Sequence, residues 1–421
     1  MPTPRTRPWL VGVAALGLVA GTAALTTTAG AAISVIRVSE STTETQAQSF
    51  SQDGVVSGDG RYVAFTSAAS DLVAEDTDQR LDVYLRDLVN GTTELVSVGT
   101  TGKAGGGTVN DVSADGRYVV FTSRTADVVT NDVNGVDDVF IRDRVAGTTE
   151  RVSVADNGEQ ARQPSTDGSV SRDGRYVTFT TFARLVPEDR DSSSQDVYVR
   201  DLVSDSTELV SVTRTGNEGG GKEASISDNG RFISFTSKGK LVKGDSNKAH
   251  DVFVRDLRKD KTVRVSVSSK GEQAGKPSFE SEIAGRGRFI VFSSNAGNLV
   301  NNDKNKKLDV FVHDRKKAKT EIASVNSREK RAGGPTVAPT ISADGRYVAF
   351  HSSSNLVKGG GNVSSLYLRD REAGRTELLL SNVQNGASIS GDGHALSFST
   401  FSGDFVTGDT NGTTDVFLYT W

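Results

Sequence analysis

The sequence predicts an all-β fold, a β-propeller of seven four-stranded antiparallel blades, and three observations predict it. A turn glycine ahead of an Arg-Tyr-Val-x-Phe-like run recurs at Gly60, Gly116, Gly174, Gly230, Gly287, Gly345 and Gly393, at intervals of 56, 58, 56, 57, 58 and 48 residues. A fixed period of this length marks a repeat array and not a string of separate domains. Within one unit, Arg61–Thr66, Asp82–Arg86 and Thr93–Val98 are short β-branched and aromatic runs that read as strands, with a fourth short run, such as Asp111-Val112-Ser113, ahead of the turn. The turn is usually Asp-Gly, which supplies the positive φ of a tight hairpin. One such sheet cannot bury both its faces, but sheets packed radially can. The strands of a blade are called a to d in chain order.

The third observation concerns the two ends. Val35-Ile36-Arg37-Val38-Ser39 echoes strand d (compare Glu150 to Val154) but stands alone ahead of the first unit, while the last unit stops at Asp415 to Trp421, just after strand c. A surplus strand and a missing strand match, so the N-terminal strand is expected to pair with the last blade and close the ring, which protects two edges. Before it, residues 1–31 carry Arg5 and Arg7, an apolar run from Trp9 to Leu25 and the small residues Ala29-Gly30-Ala31. This is the layout of a cleaved secretory signal, with an uncleaved anchor helix as the alternative. The expected organisation is a signal peptide over 1–31 and one propeller domain over 32–421, secreted, extracellular and monomeric, with no integral membrane span in the mature chain. The 421 residues include no cysteine, so no disulfide staples the fold and its stability rests on burial.

The unit S-x-D-G-R-Y-V-x-F, followed by D-V-[FY]-[VLI]-R-D and T-E-x-V-S-V, resembles the TolB-like β-propeller repeat family over the whole of 32–421. Departures are local: Asn229-Gly230 replaces Asp-Gly, Gly285-Arg286-Gly287 replaces it in blade 5, and Ser365-Leu366-Tyr367 replaces Asp-Val-Phe. The resemblance implies the fold. For function it implies a binding scaffold, a translocation partner or, less often, an enzyme platform.

In an antiparallel meander the a–b and c–d turns share one rim and the b–c and d–a connections the other. Here the first pair are short, and the second are long, Gly-rich and polar (d–a) or acidic (b–c), so the long-loop face is the expected recognition surface. The b–c loops read Asp76-x-Asp78-x3-Asp82, Asp132-x-Asn134-x3-Asp138, Asp245-x-Asn247-x3-Asp251, Asp303-x-Asn305-x3-Asp309 and Asp409-x-Asn411-x3-Asp415, with Asp189, Asp191 and Asp196 in blade 3. Alternating oxygen ligands closed by a carboxylate suit a hard cation such as Ca²⁺. The competing reading is turn chemistry, since Asp and Asn bond their own backbone. Blade 6, with Gly360 and Ser365, is expected to have no metal site.

Residues 231–335 carry 24 Lys and Arg against 12 Asp and Glu, a net +12, which leaves −16 for the rest of a chain at −4. The densest runs, Arg258-Lys259-Asp260-Lys261 and Arg315-Lys316-Lys317-Ala318-Lys319, are c–d turns that could draw an anionic partner such as a cell-envelope polymer, with solvated lysines as the plain alternative. Nucleic acid is not expected, since no aromatics interleave the basic runs. The recurring Arg-Asp pairs (Arg86-Asp87 and its copies) read as structural, because a group copied around a ring does not converge on one site. His250, His313, His351 and His394 occupy four blades and two rims, and no GxSxG elbow is present, so neither a histidine metal site nor a nucleophile is indicated. The reading is a secreted, non-catalytic binding or interaction propeller for a protein or cell-envelope polymer, using the long b–c and d–a loop face. The alternative is a carbohydrate-active enzyme, a lyase or glycosidase with loop carboxylates at the central channel. An enzyme calls for a deep channel lined by carboxylates that break the repeat, a binder for a shallow loop-built face.

Overall fold

The computed structural model describes residues 34–358, 360, 364–381, 383 and 386–421. The expected signal peptide lies outside the described residues. Seven four-stranded antiparallel sheets follow one another. In blade 1, strands a to d are Ser51–Val56, Tyr62–Ser67, Asp82–Asp87 and Thr92–Leu95. In blades 2 to 7, strand a is Thr108–Val112, Ser165–Val170, Lys222–Ile226, Ser278–Ile283, Thr336–Ile341 and Ser388–Ile389. These first strands line a common central channel. Among the described residues, no helix is long and apolar enough to cross a membrane.

Each blade is held by the same pair of rings. Phe65 on strand b lies opposite Tyr84 on strand c, the two stack at 5.6 Å between centroids, and both are fully buried. Phe121–Phe140, Phe179–Tyr198, Phe235–Phe253, Phe292–Phe311, Phe350–Tyr367 and Phe398–Phe417 repeat the contact around the ring. Such a pair contributes about 0.5–1.5 kcal/mol beyond the area it buries.

The a–b turns also stitch neighbouring blades together. Gly116 sits at φ +70°, and a Cβ there would lie 2.2 Å from the Tyr62 ring of the previous blade. Glycine is therefore required twice over, by conformation and by the aromatic laid across it. Only the seam between blades 7 and 1 lacks the ring, since Ala395 takes its place against Gly60.

The ring closes as expected. Ser34–Arg37 pairs antiparallel with Asp415–Thr420, from Ser34 opposite Thr420 to Arg37 opposite Phe417, and supplies strand d of blade 7.

Strand d differs from the expected Thr93–Val98. It ends at Leu95 because the Ser97 hydroxyl takes over the ladder: it accepts from Val83 N at 2.9 Å and donates to Asp82 Oδ1 at 2.8 Å. Val98 then bridges to Ala104 and begins the d–a loop.

Strand a carries a bulge. In blade 1 the register shifts between Gln52 and Val55. The inserted Asp53 has φ +55°, as Asp167 (+57°), Glu223 (+56°), Glu280 (+51°) and Ala338 (+49°) have in other blades. A bulge re-aims a side chain, and here it lines the channel with four acids and one alanine.

Candidate functional site

The channel holds a cavity of about 630 Å³ walled by all seven blades. Its lining includes seven carboxylates and a single arginine, Arg172. Four of the acids, Asp53, Asp167, Glu223 and Glu280, occupy the bulges, near the start of strand a and hence toward the long-loop face. At the other end the backbones of the a–b turns close ranks. Asp59 N donates to Ala114 O, Arg172 N to Asp228 O, Asp228 N to Gly285 O and Ala343 N to Gly391 O, at 2.7–3.0 Å. The acidic end of the channel thus shares its face with the long loops, and the short-turn end is pinched by backbone.

Between the two ends runs a belt built from one position of strand a, occupied by Val55, Asp111, Ser169, Ser225, Glu282, Thr340 and Ser388. Wherever that side chain can accept, it takes a backbone N–H from the next blade. Asp111 Oδ2 accepts from Val170 N at 2.9 Å, Ser169 Oγ from Ile226 N, Ser225 Oγ from Ile283 N, Glu282 Oε1 from Ile341 N, Thr340 Oγ1 from Ile389 N and Ser388 Oγ from Val56 N, the last five at 3.3–3.4 Å. Val55 cannot accept, and Val112 N turns instead to the carboxylate of its own neighbour, Asp111 Oδ1, at 2.8 Å.

Asp111 and Glu282 are the belt residues that break the Ser/Thr pattern with a charge. Burial pushes Glu282 up to about 7, its bonds to Ile341 and Thr340 oppose the shift, and the charge of Asp111 adds to it. Burial likewise pushes Asp111 up to about 6, against its bonds to Val170 and Ser169 and with a contribution from Asp228. Both residues are half-buried and belong to the channel wall. Sequence reasoning missed them. The signal was present, as acids at an inward strand-a position held elsewhere by Ser or Thr.

The acidic b–c loops fold as Asx turns anchored on the strand-c aspartate. Asp76 Oδ1 accepts from Asp78 N at 3.0 Å, and Asp189 Oδ1 from Asp191 N at 3.2 Å. The last acid of each loop is fully buried: Asp82, Asp138, Asp196, Asp251, Asp309 and Asp415. Each takes a Ser hydroxyl on Oδ1, from Ser97, Ser153, Ser211, Ser266, Ser324 and Ser39. In four blades an Asn amide then donates to Oδ2: Asn134 to Asp138 at 2.6 Å, Asn247 to Asp251 at 3.0 Å, Asn305 to Asp309 at 2.7 Å and Asn411 to Asp415 at 3.0 Å. The first acids of these loops have polar neighbours as well. Gln273 donates to Asp245 and Gln46 to Asp409, Arg151 lies 3.6 Å from Asp132, and Arg331 lies 3.9 Å from Asp303. In blade 1 the carboxylate oxygens of Asp76, Asp78 and Asp82 gather within 4.8 Å of one another. Part of the blade 6 loop lies outside the described residues.

Of the seven basic residues singled out, Arg258, Lys259, Lys261, Lys316, Lys317 and Lys319 are exposed on their c–d turns. Lys319 pairs with Glu321 at 3.3 Å. Arg315 is turned inward: its guanidinium lies 4.3 Å over the Phe232 ring, donates to Gly287 O at 2.5 Å, and has its pKa lowered by burial. It ties blade 5 to blade 4.

The Arg-Asp repeats are structural, but the partners are crossed. Asp87 receives a two-pronged bond from Arg61 at 3.0 and 2.6 Å and caps its own turn at Val89 N and Asn90 N, whereas Arg86 reaches Ser41 O and Thr93 Oγ1.

The histidines do not converge. His313 bonds Thr320 through Nδ1 at 2.9 Å and is held down to about 4 by burial. His351 is also held down to about 4 by burial. His250 packs against Phe279, and His394 against Tyr347.

No protein-family model matches this chain, and no curated protein sequence does. Solved structures do. An oligogalacturonate lyase in complex with manganese is 12% identical at a TM-score of 0.56, covering 95% of both chains. The β-propeller domain of the Trilobed protease from Pyrococcus furiosus is 14% identical at 0.54, covering 89% of this chain and 94% of that one. TolB from Acinetobacter baumannii is 14% identical at 0.45, covering 86% and 80%. At these identities the shared property is the propeller fold, which hosts many chemistries.

Proposed function

We propose that this chain is a secreted, non-catalytic binding propeller that receives a basic group of a protein or cell-envelope polymer at the acidic mouth of its channel, on the long-loop face. The observation that carries the reading is the ring of bulge acids, Asp53, Asp167, Glu223 and Glu280, set where the long loops converge. Like charges held in a concave wall focus the field and draw a counter-charge. Deeper in, Asp111 and Glu282 accept backbone N–H groups of neighbouring blades, a role that holds the ring together and needs no substrate. The test is binding of a fluorescent oligolysine, followed by anisotropy, to the parent and to an Asp53→Asn/Asp167→Asn/Glu223→Gln variant. Salt-sensitive binding that weakens at least tenfold in the variant is the expected result. Equal binding by both refutes the mouth as the site. N-terminal sequencing of the exported protein, expected to begin at residue 32, tests secretion.

One observation favours a second reading as a carbohydrate-active enzyme. Carboxylates that break the repeat do line the channel, and Glu282, held near 7, has the proton affinity of a general acid at neutral pH. The net negative wall repels an anionic oligo-uronide, so this reading narrows to neutral or amino sugars. Reducing-end release from such oligosaccharides, abolished by Glu282→Gln, would establish it.

A further inference from the structure

The b–c loops come in two versions, and the differences extend beyond the loop. Where the middle residue is Asn, strand c carries Phe: Asn134 goes with Phe140, Asn247 with Phe253, Asn305 with Phe311 and Asn411 with Phe417. In three of these blades the residue opposite that Phe on strand d is an arginine, Arg151, Arg264 or Arg37. Where the middle residue is Asp, strand c carries Tyr and strand d carries Leu: Asp78 with Tyr84 and Leu95, Asp191 with Tyr198 and Leu209. The Tyr hydroxyl then donates to the first acid of the loop, Tyr84 to Asp76 and Tyr198 to Asp189.

The two versions balance charge differently. In the Asn version the buried strand-c carboxylate has its Oδ2 filled by the Asn amide, and Gln or guanidinium groups attend the first acid. Asp132 Oδ2 and Asp303 Oδ1 also lack a hydrogen bond there, but each of these carboxylates has a guanidinium within 3.6–3.9 Å. In the Asp version a third carboxylate replaces the amide, and the arginine is gone. Asp82 Oδ2 and Asp196 Oδ2, the oxygens that face an amide donor in the sister blades, are buried with no hydrogen-bond partner. In blade 3 the d–a loop adds Glu218 where blade 4 has Gln273 and blade 7 has Gln46, and Glu218 Oε2 is also buried without a partner. Buried carboxylate oxygens without a donor or counter-charge are costly.

The geometry points to a divalent cation, Ca²⁺ by ligand chemistry, in each of the two Asp-type loops: Asp76, Asp78 and Asp82 in blade 1, and Asp189, Asp191, Asp196 and Glu218 in blade 3. The four Asn-type loops hold the same corner with an internal amide and bind no metal. An all-oxygen set rich in carboxylates on a flexible loop suits Ca²⁺ better than the strict octahedron of Mg²⁺. In blade 1 the cation competes with Arg80, whose half-exposed guanidinium donates to Asp78 Oδ2 at 2.9 Å. Blade 3 has no such competitor and one more carboxylate, but blade 1 is the loop whose acids already gather within 4.8 Å of one another, and in blade 3 Asp191 must turn from Ser193 and Ser194 toward the ion.

Equilibrium dialysis of the purified protein against ⁴⁵Ca²⁺ up to millimolar, in 0.15 M KCl with excess Mg²⁺, tests this on the parent and on Asp78→Asn, Asp191→Asn and the double variant. These substitutions recreate the loop residue of four sister blades, so the fold should persist. The expected stoichiometry is two per chain, one for each single variant and none for the double. The melting temperature should rise with Ca²⁺ in the parent and stay constant in the double variant. A stoichiometry other than two in the parent, or sites that survive their own substitution, overturns the assignment.

Discussion

Val35 lies opposite Tyr419 in the ladder that makes the N-terminal strand the fourth strand of the last blade. The same segment buries Val38 and donates Ser39 Oγ to Asp415. Two buried valines contribute about 3–6 kcal/mol, and losing the strand also opens an edge. Deleting residues 34–40 should lower the melting temperature by on the order of 10 °C. Melting within about two degrees of the parent would show that the strand does not close the ring.

The Arg61–Asp87 fork is copied in six blades, with Asp143, Asp201, Asp256, Asp314 and Asp370 in the role of Asp87. In blade 7 both partners change at once, to His394 and Thr420. The bonds from Arg61 hold Asp87 down to about 2. A depressed carboxyl contributes stability that is present above its unfolded value near 4 and is lost as pH falls through about 2. Asp87→Asn should therefore cost about 1–2 kcal/mol in urea unfolding at pH 7, with the difference shrinking toward zero near pH 2. A difference independent of pH would remove the ion pair as its cause.

The repeat made much of this legible. Turn glycines, strand cores and ring closure follow from local patterns, and the Arg-Asp copies read correctly as structural from their recurrence alone. Strand d stops three residues short of its β-branched run, because the Ser97 hydroxyl replaces a ladder bond in a way its place in that run does not betray. Arg315 looks like one more cation of a basic turn, yet its guanidinium lies on Phe232 as those of Arg144 and Arg371 lie on Tyr62 and Phe289, a contact between blades that the lysines around it hide. The channel acids lay within strand a, where alternation alone does not tell which side chain a bulge turns inward. The Asp and Asn loops were distinguishable in sequence. Their link to Tyr and Leu, or to Phe and Arg, needed the cross-strand register.

Glu282 gives a pH dependence of opposite sign to Asp87. Its folded value, about 7, lies above the ordinary carboxyl, so its stabilising share is full below the unfolded value and lost as pH rises through about 7. Gln at this position keeps an oxygen for Ile341 N and does not ionise. Glu282→Gln should melt close to the parent at pH 5 and several degrees above it at pH 8.5. A variant less stable than the parent at both values would mean that the carboxylate itself, and not its shape, is what the belt requires.

The last prediction concerns the basic turns of blades 4 and 5. Lys259, Lys261, Lys316 and Lys317 are exposed and make no ion pair among the described residues, whereas Arg315 is held against Phe232 and Lys319 against Glu321. The free cations therefore number fewer than the sequence runs suggest, and they lie on the short-turn rim, away from the acidic mouth. An anionic surface would meet the disc on one face and a cationic group on the other. Replacing these four lysines with Gln should lower the salt needed to elute the protein from a carboxylated polysaccharide matrix and flatten its dependence on ionic strength. Binding of oligolysine at the channel mouth should not change. If elution is unaltered, the turns are solvated lysines and the +12 sector steers nothing.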